Sequence, residues 1–408
     1  MSNSYIQEYT TLLENLDEQS LRRKLKVSES ATAPLMQING RTMLTFCSND
    51  YLGLASHPSI AKALSEGVHL FGGGSGASHM ISGHSKAHHD LELALASTQA
   101  AHIPNAQALF FSTGYMANIA AITALSSGLN NKNSAEQMTI YSEELNHASL
   151  IDGLKLANKQ NKANIKIYPH QNLDALRSLL KEDNSSHKLI VSDAVFSMDG
   201  NIAKLDELMN LAEEFNTLLL IDDAHGFGVL GQSGHGILDL FQVSHNDPRS
   251  SRVIYMGTLG KAAGVSGAFV AAHPSITEWI MQKGRAYIYT TASPALIAHG
   301  LLKSLELMSD SSHRIALNKN ITYWKTNLHL KKWKLLPSDT AIQPIIIGDN
   351  ENALKAAKEL DLKNIWVPAI RPPTVPEGSS RLRVTLSATH TQNQIDTLIQ
   401  AIHDIERI

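Results

Sequence analysis

An α/β fold with a mostly parallel central sheet in a large domain, followed by a smaller α+β domain, is what this sequence predicts. Three observations point to it. From about residue 60 to 280, helical segments alternate with short β-rich runs at 138–142, 164–168, 188–196, 217–222, 252–256 and 266–272, the pattern of βαβ units. After about 285 the pattern shifts to two long helical stretches and then two short strands. The length of 408 residues, with 43% apolar content, suffices for two or three domains with a large buried core.

Taken in order, residues 1–59 read as an N-terminal helix and arm. Within 4–25, Tyr5, Ile6, Tyr9, Leu12, Leu13, Leu16 and Leu21 recur at roughly helical spacing, ahead of the basic run Leu21-Arg22-Arg23-Lys24-Leu25. The spacing predicts a helix packed on the body of the protein. Residues 60–284 hold the alternating segments and form the large domain. Residues 285–408 form the smaller one, with helices near 294–309 and 313–329, strands at 342–347 and 381–386, and a closing helix at 391–406. No internal repeat or low-complexity tract occurs; Gly72 to Gly76 and the Pro-rich 368–376 are the main irregular stretches.

A formal charge of −3 and a pI near 6.7 provide no general attraction to nucleic acid or anionic membrane, which leaves small molecules as the expected partners. A lone cysteine, Cys47, cannot form an intrachain disulfide. No apolar N-terminal signal and no run long enough to span a bilayer is seen, so the expected location is cytoplasmic. The 19 histidines lack metal-ligand spacing, and His88-His89 would diverge by about 100° on a helix. No metal is expected.

In open α/β sheets ligands bind at the carboxyl ends of the strands, so polar residues just after apolar runs are the candidates for chemistry. Three successive runs end this way. Leu189-Ile190-Val191 leads to Asp193 and Phe196-Ser197-Met198-Asp199-Gly200; Leu218-Leu219-Leu220-Ile221 leads to Asp222-Asp223-Ala224-His225-Gly226; Val253 to Met256 leads to Gly257-Thr258-Leu259-Gly260-Lys261. Alone, Lys261 reads as a surface lysine. Beside Asp222 and His225 its amine becomes a candidate Schiff-base former, as pyridoxal phosphate (PLP) requires along with an acidic partner for its ring nitrogen. Asp222 follows four apolar residues, where a carboxylate is costly unless a cation such as a protonated pyridine meets it; the plain alternative is a turn cap. His225 could donate to a phenolic oxygen or be a buried structural histidine.

Upstream, Leu109 to Tyr115 leads into a helical run from Met116 to Leu125, and a helix start containing Gly114 presents N–H groups to an anion such as a phosphate. Ser112 or Thr113 could equally be an ordinary N-cap. His147 either stacks on a planar cofactor or simply begins the next helix. The Gly72-Gly73-Gly74-Ser75-Gly76-Ala77 stretch matches GxGxxA only superficially, since no clear strand precedes it and no acidic ribose partner follows in the right context. A nicotinamide-dependent dehydrogenase therefore has little support. A loop where backbone closely approaches a ligand or partner subunit is the better reading.

With these residues assembled, the chain resembles the α-oxoamine synthases, PLP enzymes of the aspartate aminotransferase fold type (fold type I), over nearly its whole length. The most specific pieces are Ser48-Asn49-Asp50-Tyr51-Leu52-Gly53, Ser197-Met198-Asp199-Gly200, Asp222-Asp223-Ala224-His225-Gly226 and Gly257-Thr258-Leu259-Gly260-Lys261. Ala369-Ile370-Arg371-Pro372-Pro373-Thr374-Val375-Pro376, followed by Arg381-Leu382-Arg383, resembles the biotin-pathway branch in particular.

The resemblance implies that Lys261 carries the cofactor and then acts as base, that Asp222 pairs with the ring nitrogen, and that His225 and Ser197 contact the phenolic oxygen. It further implies that His147 stacks on the ring and that Gly114, Tyr115 and Thr258 frame the phosphate, with Thr290 or Thr291 supplied by the second subunit of a homodimer. Arg383 and Asn49 would hold the amino acid carboxylate, and Arg22 would lie near the substrate entrance. Thr113-Gly114-Tyr115 stands where Ser-Gly-Phe is commoner, and Ala292-Ser293-Pro294 departs from the usual run, which leaves phosphate contacts and acyl-chain fit open. The implied reaction is a decarboxylative condensation of L-alanine with a pimeloyl thioester, carried by coenzyme A or by a carrier protein. The alternatives are another α-oxoamine synthase that uses glycine or serine, and a noncatalytic PLP-fold subunit, against which both Lys261 and Asp222 count.

Overall fold

In the computed structural model, which describes residues 4–127 and 137–407, the strands follow one another as β1 (Leu35–Ile38), β2 (Arg41–Thr45), β3 (Gln107–Phe111), β4 (Thr139–Glu143), β5 (Asn164–Tyr168), β6 (Lys188–Asp193), β7 (Leu218–Asp222), β8 (Val253–Thr258) and β9 (Ala268–Ala272). The last seven form one sheet in the order β3-β9-β8-β7-β6-β4-β5. Only β9 runs against the rest, pairing antiparallel with β8 and β3. Burial on both faces explains why β6, β7 and β8 read as continuous apolar runs rather than alternating ones.

Successive side chains of these strands enter different cores. Leu219 and Ile221 of β7, with Val253 and Tyr255 of β8, face one cluster; Leu220, Ile254 and Met256 face the other, beneath the helices Gly114–Leu125 and Ala148–Asn161. Each fully buried Leu or Ile contributes about 1.5–3 kcal/mol of transfer free energy, so the sheet is a stiff platform for whatever stands on its edge.

The C-terminal part adds β10 (Lys334–Leu335), β11 (Ile342–Gly348), β12 (Ile365–Trp366), β13 (Ala369–Ile370) and β14 (Ser380–Thr385). Four of these form an antiparallel sheet, β10-β11-β14-β13, and β12 instead extends the β1–β2 hairpin as a parallel neighbour of β2. The two sheets' surroundings meet at Gly200, whose φ is +74°; a Cβ there would lie 2.5 Å from the Ile342 carbonyl oxygen and 2.5 Å from Ser338 Oγ. Glycine is required because the Ser197–Gly200 turn passes directly over β11.

One expectation changes. The N-terminal helix is shorter than predicted, Ser4–Glu18, and the chain turns at Ser20 with φ +56°. None of its residues is buried in this chain, and Tyr5 is 71% exposed, so the apolar stripe does not pack on the body of the single chain. Helical periodicity reveals the stripe but not the surface that covers it. The glycine stretch follows a helix, Pro58–Phe71, rather than a strand, and nothing in this chain lies within 4 Å of where a Cβ on Gly72, Gly73, Gly74 or Gly76 would stand. The approach expected there is to a ligand or a partner subunit, and the described chain leaves that space open. No helix among the described residues is long and apolar enough to cross a membrane.

Candidate active site

Parallel register aligns Asp193 with Asp222, and Asp222 with Met256, at the carboxyl edge of β6, β7 and β8. After β8 the chain folds back: Leu259 N donates to Gly267 O at 2.7 Å and Gly264 N to Lys261 O at 2.8 Å. Buried Leu259, Ala262 and Ala263 anchor this turn, which brings Lys261 back over the strand ends. All the expected cofactor-binding residues except Thr290 and Thr291 line one cavity of about 170 Å³ there, namely Gly114, Tyr115, His147, Ser197, Asp222, His225, Thr258 and Lys261.

Asp222 is 4% exposed. Its carboxylate accepts from Asn118 Nδ2 at 2.6 Å and from Ala224 N at 3.0 Å, and among the described residues it has no ion-pair partner. A buried carboxylate with hydrogen bonds but no cation is suited to receive one. Lys261 Nζ lies 2.7 Å from His225 Nε2. Burial, partly offset by Asp222, lowers its amine to about 8. His225 is pushed well below its ordinary value by burial, then by Lys261 and Arg383.

His147 begins a helix, as one of its two readings has it, and also stands at the cavity. It caps the helix Ala148–Asn161, its side chain accepting from Ser149 N, while its backbone N–H donates to Asp193 Oδ2 at 3.0 Å. At the helix Gly114–Leu125 the cap is Thr113, whose hydroxyl accepts from Met116 N at 3.2 Å. The first intrahelical bond runs from Ala117 N to Thr113 O, so the N–H groups of Gly114 and Tyr115 precede it at the cavity wall. Thr258 donates to Gly267 O at 3.1 Å.

Arg383 is 6% exposed on β14. Its Nε donates to Ser197 O at 2.6 Å, Nη1 to Thr385 Oγ1 at 3.0 Å, and both terminal nitrogens stand 3.4 Å from Asn49 Oδ1. Arg381, two residues away on the same face, pairs with Asp199 at 2.7 Å, whereas Arg383 has no carboxylate partner among the described residues. A buried guanidinium left without a counter-ion is an anion seat.

Other expected residues lie elsewhere. Arg22 binds Asp17 at 2.6 Å and lines a separate cavity with Arg23, Arg371 and Thr374. Thr290 is half-buried and Thr291 exposed on the loop after the short helix Arg285–Ile288, and neither lines the Lys261 cavity. Sequence reasoning gave no role to Asn118 or Tyr51. Asn118 lies one helical turn beyond Gly114, a spacing that could have exposed it; Tyr51 Oη, 2.5 Å from His225 Nδ1, is reached across 174 residues and leaves no local signal.

A lysine amine and an unpaired aspartate at the strand ends, below a helix N-terminus, define a PLP-binding class of enzyme. The family model for class I and II aminotransferases matches residues 41–402, and the chain belongs to that family, whose members of this type are PLP-dependent enzymes of fold type I. Among solved structures, serine palmitoyltransferase from S. paucimobilis with a bound PLP–myriocin aldimine superposes with TM-score 0.87 at 25% identity, covering 100% of this chain and 98% of the other. 8-Amino-7-oxononanoate synthase from Francisella tularensis superposes with TM-score 0.72 at 31% identity, covering 90% and 97%. The 8-amino-7-oxononanoate synthase of Janthinobacterium sp. is 52% identical over 97% of each chain, and that of Bordetella petrii is 49% identical over 97% of this chain and 96% of its own. Within the family the chain falls among these synthases, PLP-dependent acyltransferases of biotin biosynthesis.

Proposed function

We propose that this chain condenses L-alanine with a pimeloyl thioester, releasing CO₂ and free thiol and forming 8-amino-7-oxononanoate, as the names of its relatives suggest. The observation that carries the reading is a buried guanidinium without a counter-ion, Arg383, joined through Asn49, Tyr51 and His225 to the amine of Lys261. A carboxylate seat and a base are thus held on one framework.

The residues suit PLP: a primary amine for its aldehyde, and, among the described residues, a carboxylate lacking a cation for its ring nitrogen and N–H groups without partners at Gly114 and Tyr115 for its phosphate. When bound, PLP supplies an electrophilic aldehyde and a protonated ring that delocalises the electrons left on Cα. In this reading Lys261 attaches the cofactor, Asp222 holds the ring nitrogen protonated, His225 and Ser197 meet the phenolic oxygen, and His147 lies against the ring. Thr258 helps frame the phosphate, which Thr290 or Thr291 of a second copy reaches in a cytoplasmic homodimer.

Arg383 would grip the alanine carboxylate in a fork, with Asn49 beside it, and so set the orientation of the bonds at Cα. Lys261, whose amine burial lowers from 10.5 to about 8, takes the α-proton. With the α-proton removed, Cα would attack the thioester carbonyl, the C–S bond would break with departure of thiol, and the carboxyl would leave as CO₂ before Cα regains a proton. The methyl and amine-bearing carbons of the product come from alanine, the remainder from the pimeloyl chain. Thiol release measured with L-alanine, glycine and L-serine against pimeloyl and other acyl thioesters tests the assignment. Turnover should need L-alanine and the pimeloyl group; turnover of glycine or serine without alanine would mark another α-oxoamine synthase.

A further inference from the structure

We propose that Tyr51 is a positioning residue: its hydroxyl is the pivot of a hydrogen-bond chain from Lys261 to Arg383, and it lets His225 present either a lone pair or an N–H to the amine. The inference deepens the function proposed above, because it concerns the same amine in its role as base.

The chain is continuous. Lys261 Nζ lies 2.7 Å from His225 Nε2, His225 Nδ1 lies 2.5 Å from Tyr51 Oη, and Tyr51 Oη lies 3.2 Å from Asn49 Oδ1, which both terminal nitrogens of Arg383 approach to 3.4 Å. Donor and acceptor chemistry sets its direction. A guanidinium only donates, so Asn49 must turn its carbonyl oxygen toward Arg383. An ammonium also only donates. While Lys261 carries its proton, His225 Nε2 therefore accepts, Nδ1–H donates to Tyr51, and Tyr51 O–H donates to Asn49.

Once Lys261 is neutral, that constraint disappears and the better donors decide. A phenol O–H is more acidic than an imidazole N–H, and an imidazole N–H far more acidic than an amine N–H. Tyr51 then donates to His225 Nδ1, and Nε2–H donates to the amine lone pair. The change releases one proton to solvent, from Lys261; His225 and Tyr51 each hold one proton before and after. A hydroxyl can serve both arrangements because it rotates between donor and acceptor roles. Tyr51 is 1% and His225 8% exposed, so water does not substitute for it. The imidazole stays neutral throughout, as its lowered pKa requires.

The charged and titratable groups facing this pair are Asp222 and Asp223 at the end of β7, Asp193 of β6, Arg383 of β14 and His147 at its helix start. None of them has both a donor and an acceptor site directed at His225 Nδ1, which only Tyr51 contacts among the described residues.

The test is ¹⁵N NMR of histidine-labelled full-length protein freed of cofactor, with His225 assigned by His225→Gln. In the wild type, the His225 proton should sit on Nδ1 at low pH and move to Nε2 as pH rises through about 8, and Tyr51→Phe should abolish the exchange. A wild-type His225 that keeps one tautomer throughout, or a Tyr51→Phe protein that still exchanges, overturns the proposal; the wild-type titration decides even if the variant does not fold. In the PLP-loaded enzyme, Tyr51→Phe should lower kcat about 10-fold with KM for L-alanine changed less than about 2-fold, since acid–base positioning and not the carboxylate seat is lost. A rise in KM with unchanged kcat contradicts it. The NMR result is independent of the acyl and amino acid substrates, so its failure is distinguishable from failure of the thiol-release assay.

Discussion

Asp193 and Asp222 stand opposite each other in register at the carboxyl ends of β6 and β7, and their surroundings treat them differently. Burial and the neighbouring Asp222 charge hold the Asp193 carboxyl well above the usual carboxylate range. Asp222 instead accepts from Asn118 and Ala224. Asparagine should therefore replace Asp193 with little effect, because it resembles the neutral acid. Asp222→Asn should lower kcat about 10²–10³-fold, the loss expected when a preorganised charge is removed from a reacting centre. Steady-state thiol release on both variants checks the contrast, and equal losses would contradict it.

Lys261 gives a second prediction, in the cofactor-free protein. Its amine is lowered from 10.5 to about 8 by burial, so between these values the unfolded chain binds a proton that the folded chain has released. The sign is that of a destabilised cation. Its contribution opposes folding below about pH 8 and is relieved as pH rises from about 8 toward 10.5. Lys261→Met should flatten this part of the stability profile, measured by urea denaturation at a series of pH values.

Arg383→Lys tests the fork. A lysine retains the charge but loses the paired N–H geometry, and a charged hydrogen bond of about 1.5–3 kcal/mol corresponds to a rise in KM for L-alanine of about 10- to 150-fold. Steady-state kinetics with alanine varied at saturating acyl thioester provides the measurement. An unchanged KM would show that the carboxylate binds elsewhere.

Gly200→Ala should destabilise the fold by about 1–3 kcal/mol, since overpacking adds to the strain of a left-handed backbone. The added Cβ would strike β11 at the Ile342 carbonyl oxygen. The same turn holds Ser197, whose carbonyl receives Arg383 Nε, so activity should fall as well. Urea midpoints with an unchanged m-value, together with KM for alanine, check both effects.

The parts of this architecture that were legible in the sequence are those written in local pattern. Runs such as Leu218 to Ile221 announce buried strands, and the polar residue that ends each run marks the edge where Asp193, Asp222 and Thr258 meet. His147 and Thr113 could each be placed at a helix start, although not with a single role. Contacts across long separations left little trace: Tyr51 meets His225 over 174 residues with no local signal, and Asn118, which meets Asp222 over 104, is marked only by its place one helical turn beyond Gly114. The stripe from Tyr5 to Leu16 was legible as helix, but what it faces depends on surfaces beyond local periodicity. Arg22 has a resemblance to a substrate-entrance residue; here it pairs with Asp17 and lines a different cavity from Lys261.

Lys261 is the amine proposed to carry PLP, and chemical trapping addresses its role directly. Borohydride reduction of the yellow PLP-loaded enzyme, followed by digestion and mass spectrometry, should find the pyridoxyl group on the peptide containing Lys261. A label on another lysine, or retention of the same spectrum and activity by Lys261→Ala, would contradict it.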